Sequence, residues 1–191
     1  MSRPKQPLGP TEYAVLGLLS LKPCHGYELA SQFTADADLG LVCHAHISVL
    51  YASLRALEGL GYLYAETEAP SSYPPRKTYH LTPFGQTELR GWLDEPVHRI
   101  RQIRLDFLLK LYFSGRLDDH DTLGLIDTQI AACGTYLAEL RASLNCASPD
   151  GFRRLVLGSK INAAEATVAW LDKQRQAWAE SGQSAQRRQL E

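Results

Sequence analysis

Apolar positions in the first half of the chain recur in short helical blocks, then alternate, then return to helical spacing. Tyr13, Leu16 and Leu19, with Val15 and Leu18 beside them, predict an amphipathic helix capped by Thr11 and ended by Pro23. After Cys24, His25 and Gly26, a second helix carries Tyr27, Leu29, Ala30 and Phe33 on its apolar face, and Asp36 and Asp38 lead into a loop. A third helix over residues 47–60 turns Leu50, Leu54 and Leu57 inward, with Gly61 as its C-terminal cap. Strands follow over residues 62–67 and 77–81, separated by a proline-stiffened tip. Thr82 then caps a fourth helix with Pro83 at its first position, running through Leu89 to Trp92 and Leu93.

The second half has a different periodicity. Leu123, Ile126, Ile130, Cys133, Leu137, Leu140 and Leu144 alternate spacings of three and four, which places them on one stripe of a long helix. Leu157, Ile161, Ala164, Val168, Leu171 and Trp178 form the same stripe on a second long helix, interrupted by Arg175. A polar stretch over residues 145–150 breaks the two, and a short feeder helix over 105–113 precedes them. So few elements leave these seams short of an internal cover, and a second copy of the chain is the expected partner, the alternative being a self-contained helical bundle in a monomer. The dimerisation set is therefore Ile130, Leu137, Leu157, Ile161, Ala164, Val168, Leu171 and Trp178.

The expected class is mainly α with a small β-hairpin, a winged helix-turn-helix domain followed by a C-terminal antiparallel helical dimerisation domain. Its boundaries are expected at residues 1–95 and 96–182, with 183–191 as a flexible tail. In such a fold the third helix enters the major groove of double-stranded DNA and the wing meets phosphate or the minor groove. The outward face of that helix carries Ser48, Tyr51, Ala52, Ser53 and Arg55, and the wing tip carries Arg76 and Lys77. Tyr51 offers a hydroxyl to phosphate or base, or else is a half-buried aromatic supporting the helix. Arg55 offers a bidentate fork to guanine, or else is a solvated helix charge.

Composition narrows the chemistry. Net charge is -1 and the pI about 6.6, so nucleic-acid binding has to come from a local cluster and not from a basic field. No apolar run has the length of a bilayer span, and residues 1–10 lack a signal-peptide core, so a cytoplasmic protein without membrane contact is expected. Cys24, Cys43, Cys133 and Cys146 form no CxxC pair and read as small apolar side chains. Cys43, His44 and His46 are the one metal-capable group, at a spacing that matches no finger; phosphate contact by the two histidines stands above metal binding, and simple loop filling stands above both. There is no glycine-rich phosphate loop, HExxH or GxSxG, so neither an enzyme nor a resident cofactor is expected.

Several ordered motifs carry a family resemblance. They are Leu16, Gly17, Leu18 and Leu19 followed by His25 to Leu29; Leu50 to Glu58 leading into Gly61; Pro75 to Thr82 followed by Gly85; and Asp106 to Leu111. Together they closely resemble the PadR regulators. The resemblance implies a repressor whose dimer is built by the C-terminal helices, often embracing the partner's N-terminal helix. It implies that Tyr51 lies on the recognition helix and that Arg76 and Lys77 lie in the wing. It also implies a possible small aromatic effector, since some members respond to phenolic acids. Trp92, Trp170 and Trp178 are the aromatic candidates for an effector site, against the commoner reading of such aromatics as core or dimer seam. Many relatives start the recognition helix with a Ser-Pro-Gly-like turn, where this chain has His46, Ile47 and Ser48. The rival reading is a helical scaffold protein whose winged domain binds another protein.

Overall fold

Helix α1 (Pro10–Leu21) starts one residue before Thr11 in the computed structural model, which describes residues 8–67, 77–117, 120–146 and 151–188. Gly9 is the N-cap, and its N–H donates to Glu12 Oε2 at 3.1 Å, so the first-turn carboxylate does the capping expected of the threonine hydroxyl. Residues Ala14 to Leu19 are all buried, which makes α1 the axis of the first core.

Strand β1 (Cys24–His25) and helix α2 (Gly26–Gln32) follow, and the His25 N–H donates to Glu28 Oε2 at 2.7 Å. A short helix, α3 (Asp38–Val42), stands where the acidic residues predict a loop. Helix α4 (Ile47–Gly59) is the third long amphipathic block of the sequence. It ends in a Schellman motif: the Gly61 N–H donates to Glu58 O and the Tyr62 N–H to Leu57 O, each at 3.0 Å. Gly61 holds φ at 78°, where a Cβ would be strained.

The chain then runs back as β2 (Leu63–Thr67) and β3 (Lys77–Leu81), antiparallel in a register from Leu63↔Leu81 to Thr67↔Lys77. The two-residue β1 adds to the other side of β3, giving the order β1-β3-β2. Sequence periodicity cannot detect so short a strand. Helix α5 (Pro83–Asp94) begins as predicted, with Thr82 Oγ1 accepting from the Gly85 N–H at 3.0 Å.

Beyond α5 come a 3-10 turn (Ile100–Gln102), a π-helical turn (Ile103–Phe107) and helices α6 (Leu108–Ser114), α7 (Thr122–Asn145) and α8 (Phe152–Arg188). Two compact units result. The first takes the described residues up to Glu95 together with 104–120, and the second takes 96–103 and the chain from Asp121 on. The feeder segment therefore packs with the winged core, where Leu109 and Phe113 are buried beside α1 residues, and not with the helical half. The physical reason is that α6 offers its apolar face to the open side of α1.

In the second unit α7 and α8 form an antiparallel hairpin. Leu140, Leu157 and Ile161 make a small core with Tyr136, Leu137 and Leu144 against it. Arg175, the break in the apolar stripe, donates to Asp127 of α7, so the interruption is an ion pair across the hairpin. Gln129, fully buried, brackets the backbone of Val97: its Oε1 accepts from the Val97 N–H at 2.7 Å and its Nε2 donates to Val97 O at 2.8 Å. Helix α8 continues to Arg188, through part of the segment expected as a flexible tail. Among the described residues no helix is long and apolar enough to cross a membrane.

Candidate nucleic-acid interface

Helix α4 turns Leu50, Leu54 and Leu57 into the core, and a rotation of about 100° per residue puts Ser48, Ala52 and Arg55 on the opposite, exposed face. Ser53 does not belong with them. It is only 4% exposed, and its hydroxyl donates to Glu12 Oε1 at 2.7 Å, joining α4 to the start of α1. Its place in the DNA-contact set is corrected by simple geometry: three residues from Leu50, it lies on the inner face. Ser53→Ala is expected to lower unfolding free energy by about 1 kcal/mol, the cost of stripping a partly buried carboxylate of a donor. DNA affinity per folded molecule stays unchanged, which a denaturation series beside an anisotropy titration checks.

Tyr51 is half-buried. A Cβ on Gly26 would lie 2.9 Å from its hydroxyl oxygen, so the ring edge is seated on the glycine that opens α2. The two readings of Tyr51 thus merge in part: it supports the helix through Gly26. His46, the N-cap residue of α4, places Nδ1 3.1 Å from Ser48 Oγ. Both His44 and His46 are exposed, whereas Cys43 is buried with its sulfur 3.9 Å from Thr11 Oγ1 and its thiol pushed up by that burial. The sulfur faces the core and the imidazoles face water, so the three do not converge; among the described residues no group of His, Cys, Asp or Glu is arranged to hold a metal.

The wing is anchored at its base from β1, by the residue that caps α2. His25 Nδ1 lies 3.3 Å from Lys77 O and 3.2 Å from Thr78 Oγ1, and its ring stacks on Tyr27. Lys77 is exposed at the first position of β3. Arg76, its predicted companion, lies outside the described residues. On the same face as Thr78, Tyr64 stacks on His80 at 4.9 Å, and His80 Nε2 stands 3.5 Å from Glu66.

The predicted dimerisation residues divide. Leu157, Ile161, Ala164 and Leu171 are buried within the single chain, so the stripe assigned to a second copy is at these positions an internal core. A hairpin closes two complementary stripes on each other at low loop entropy, which the expectation of an uncovered seam overlooked. Ile130, Leu137 and Val168 are half-buried and Trp178 is exposed. Periodicity missed Phe152 and Leu155, which are 81% and 73% exposed at the start of α8. Of the three tryptophans, Trp92 is occupied within the first unit, stacked on Tyr13 at 4.4 Å and with the Lys110 ammonium 4.8 Å from its ring centre.

Helices α1 to α4, a three-stranded antiparallel sheet with a hairpin wing, and an exposed outer face on the helix before that wing define a winged helix-turn-helix protein with a helical C-terminal half. Comparison with known proteins agrees with this class. The model of the transcriptional regulator PadR-like family matches residues 15–91, and that of the virulence activator alpha C-term matches 103–178. Over residues 15–91 the chain is similar to the PadR-like family of transcriptional regulators. It is 28% identical over 171 residues to the negative transcriptional regulator PadR of Bacillus subtilis, covering 84% of this chain and 93% of that one. It is 29% identical over 181 residues to the probable transcriptional regulator Rv1176c of Mycobacterium tuberculosis, with the same coverage. A crystal structure of Bacillus subtilis PadR in complex with operator DNA is similar at 27% identity and a TM-score of 0.46, covering 90% of this chain and 99% of that one.

Proposed function

We propose that the chain represses transcription by gripping operator DNA as a homodimer, with α4 in the major groove and the Lys77 end of the wing against phosphate. The observation that carries this reading is the outer face of α4, where Ser48, Ala52 and Arg55 are exposed and too short or too slender to hold the groove away. The relative's designation as a negative regulator supports repression. A dimer is supported by the bare Phe152 and Leu155 on α8, large apolar side chains that water solvates poorly. With a net charge of -1, one copy has too few cations for tight binding, and two copies on a near-palindromic site combine two modest contact sets. Release by a small aromatic effector acting on the helical half is part of the proposal, through a shift in the spacing of the two DNA-binding heads.

Anisotropy titrations of the full chain against upstream genomic fragments at two salt concentrations test it. Arg55→Ala is expected to weaken binding by about 1–3 kcal/mol and to relax preference at one base pair. Lys77→Ala is expected to weaken all sequences alike and to lower the salt slope by about 1 per bound wing. Retention of no fragment above random DNA would overturn the reading in favour of a protein-binding scaffold.

A further inference from the structure

The first two turns of α4 expose an unusual set of groups for a helix that reads DNA. Ile47 and Val49 are 54% and 49% exposed, Ala52 is exposed, and no Asn, Gln, Lys or Arg occurs before Arg55. The polar groups in these turns already have neighbours: Ser48 Oγ lies 3.1 Å from His46 Nδ1, and the Tyr51 hydroxyl rests on Gly26. Two β-branched side chains at half exposure are not there for helix propensity, which they lower. They also fill none of the core, which Leu50, Leu54 and Leu57 occupy.

A recognition helix meets base edges through its N-terminal residues, the very turns that hold Ile47 and Val49. Of the groups that B-DNA presents in its major groove, only the thymine C5-methyl is apolar. Residues 47 and 49 stand about 200° apart around the helix axis, on either side of the exposed Ser48, so they face two different steps of the groove. Arg55, about 12 Å along the axis from Ile47 and about 9 Å from Val49, reads a separate base pair.

We propose that Ile47 and Val49 are specificity-determining residues that select thymines by packing on their 5-methyl groups, so that the half-site is defined by apolar contacts as much as by the Arg55 fork. This rests on the reading of α4 as the DNA-contacting helix.

The test uses the full-length protein and a duplex selected from a randomised double-stranded library, resynthesised with deoxyuridine in place of one thymidine at a time. Removing a methyl leaves every hydrogen-bonding group of the base pair in place. At one or more thymines per half-site, the wild type is expected to bind the uracil duplex about fourfold more weakly, what burying one methyl-sized group contributes. The Ile47→Ala, Val49→Ala double variant is expected to bind both duplexes equally, and its unchanged thermal melt confirms that exposed positions were altered without loss of fold. A selected duplex that binds equally well with every thymine replaced overturns the methyl proposal while leaving DNA binding intact. So does a double variant that still discriminates. If no duplex is enriched, the DNA-binding reading itself falls, and the proposal with it.

Discussion

Replacing Phe113 by alanine is expected to lower the unfolding free energy by about 3–5 kcal/mol, among the largest losses any single change here should cause. The ring is fully buried on α6 and lies against α1 at Gly17. A Cβ at position 17 would stand 2.5 to 2.6 Å from three atoms of that ring, so the absence of a side chain is what lets α6 approach. Gly17→Ala alone therefore overpacks the contact, at about 1–3 kcal/mol. Combining the two changes puts the new methyl into the space the ring leaves, and the double variant is expected to be more stable than the sum of the single losses by at least about 1 kcal/mol. Denaturant titrations of the four proteins close this cycle, and strict additivity would sink the contact. The consequence reaches the site, because Ser53 hangs α4 on the same helix through Glu12.

Raising the pH from 8 to 9 is expected to stabilise the wild type relative to Lys110→Met by about 1 kcal/mol. Lys110 is 2% exposed, its ammonium donates to the carbonyls of Trp92 and Glu95, and it sits 4.8 Å from the Trp92 ring centre. Burial holds it down to about 8 from an ordinary 10.5, against the opposing pull of Glu95, Asp106 and Asp94. Below pH 8 both folded and unfolded chains carry the proton and the penalty is in full force. Between 8 and 10.5 the unfolded chain keeps a proton that the folded chain has released, so stability climbs with pH across that window. Other groups act in the opposite sense, the cysteines already from about pH 8. Burial raises Cys24 to about 11 and also raises Cys43, Cys133 and Tyr13, all of which stay protonated in the fold after the unfolded chain has lost theirs. Between pH 8 and 9 the three cysteines offset the lysine in the wild type's own stability, which falls beyond 10, so it is the difference from Lys110→Met that isolates the lysine. A flat difference over pH 8 to 9 would show that Lys110 is charged throughout.

Local chemistry made much of the winged domain legible. The Gly61 stop, the Thr82 and Pro83 start, and the alternation on either side of the wing each depend on residues close in sequence. They reach the same answer in almost any context. The outer face of α4 was readable only to within one residue, since neighbours on a helix differ by about 100° and Ser53 lies at the margin. Its inward turn is settled by Glu12, 41 residues away.

The local pattern of this chain alone dictates where its helices, caps and hairpin lie, because each is specified within a turn or two of backbone. Which partner each apolar face meets is a matter of long-range packing. Strand β1 exists only because β3 lies beside it, and α6 joins the winged core because Gly17 opens a place for Phe113. The stripe of α8 closes largely on its own chain because α7 returns within reach of it. A hydrophobic period states that a face must be covered; the cover itself is chosen by three-dimensional closeness, to which the period is blind.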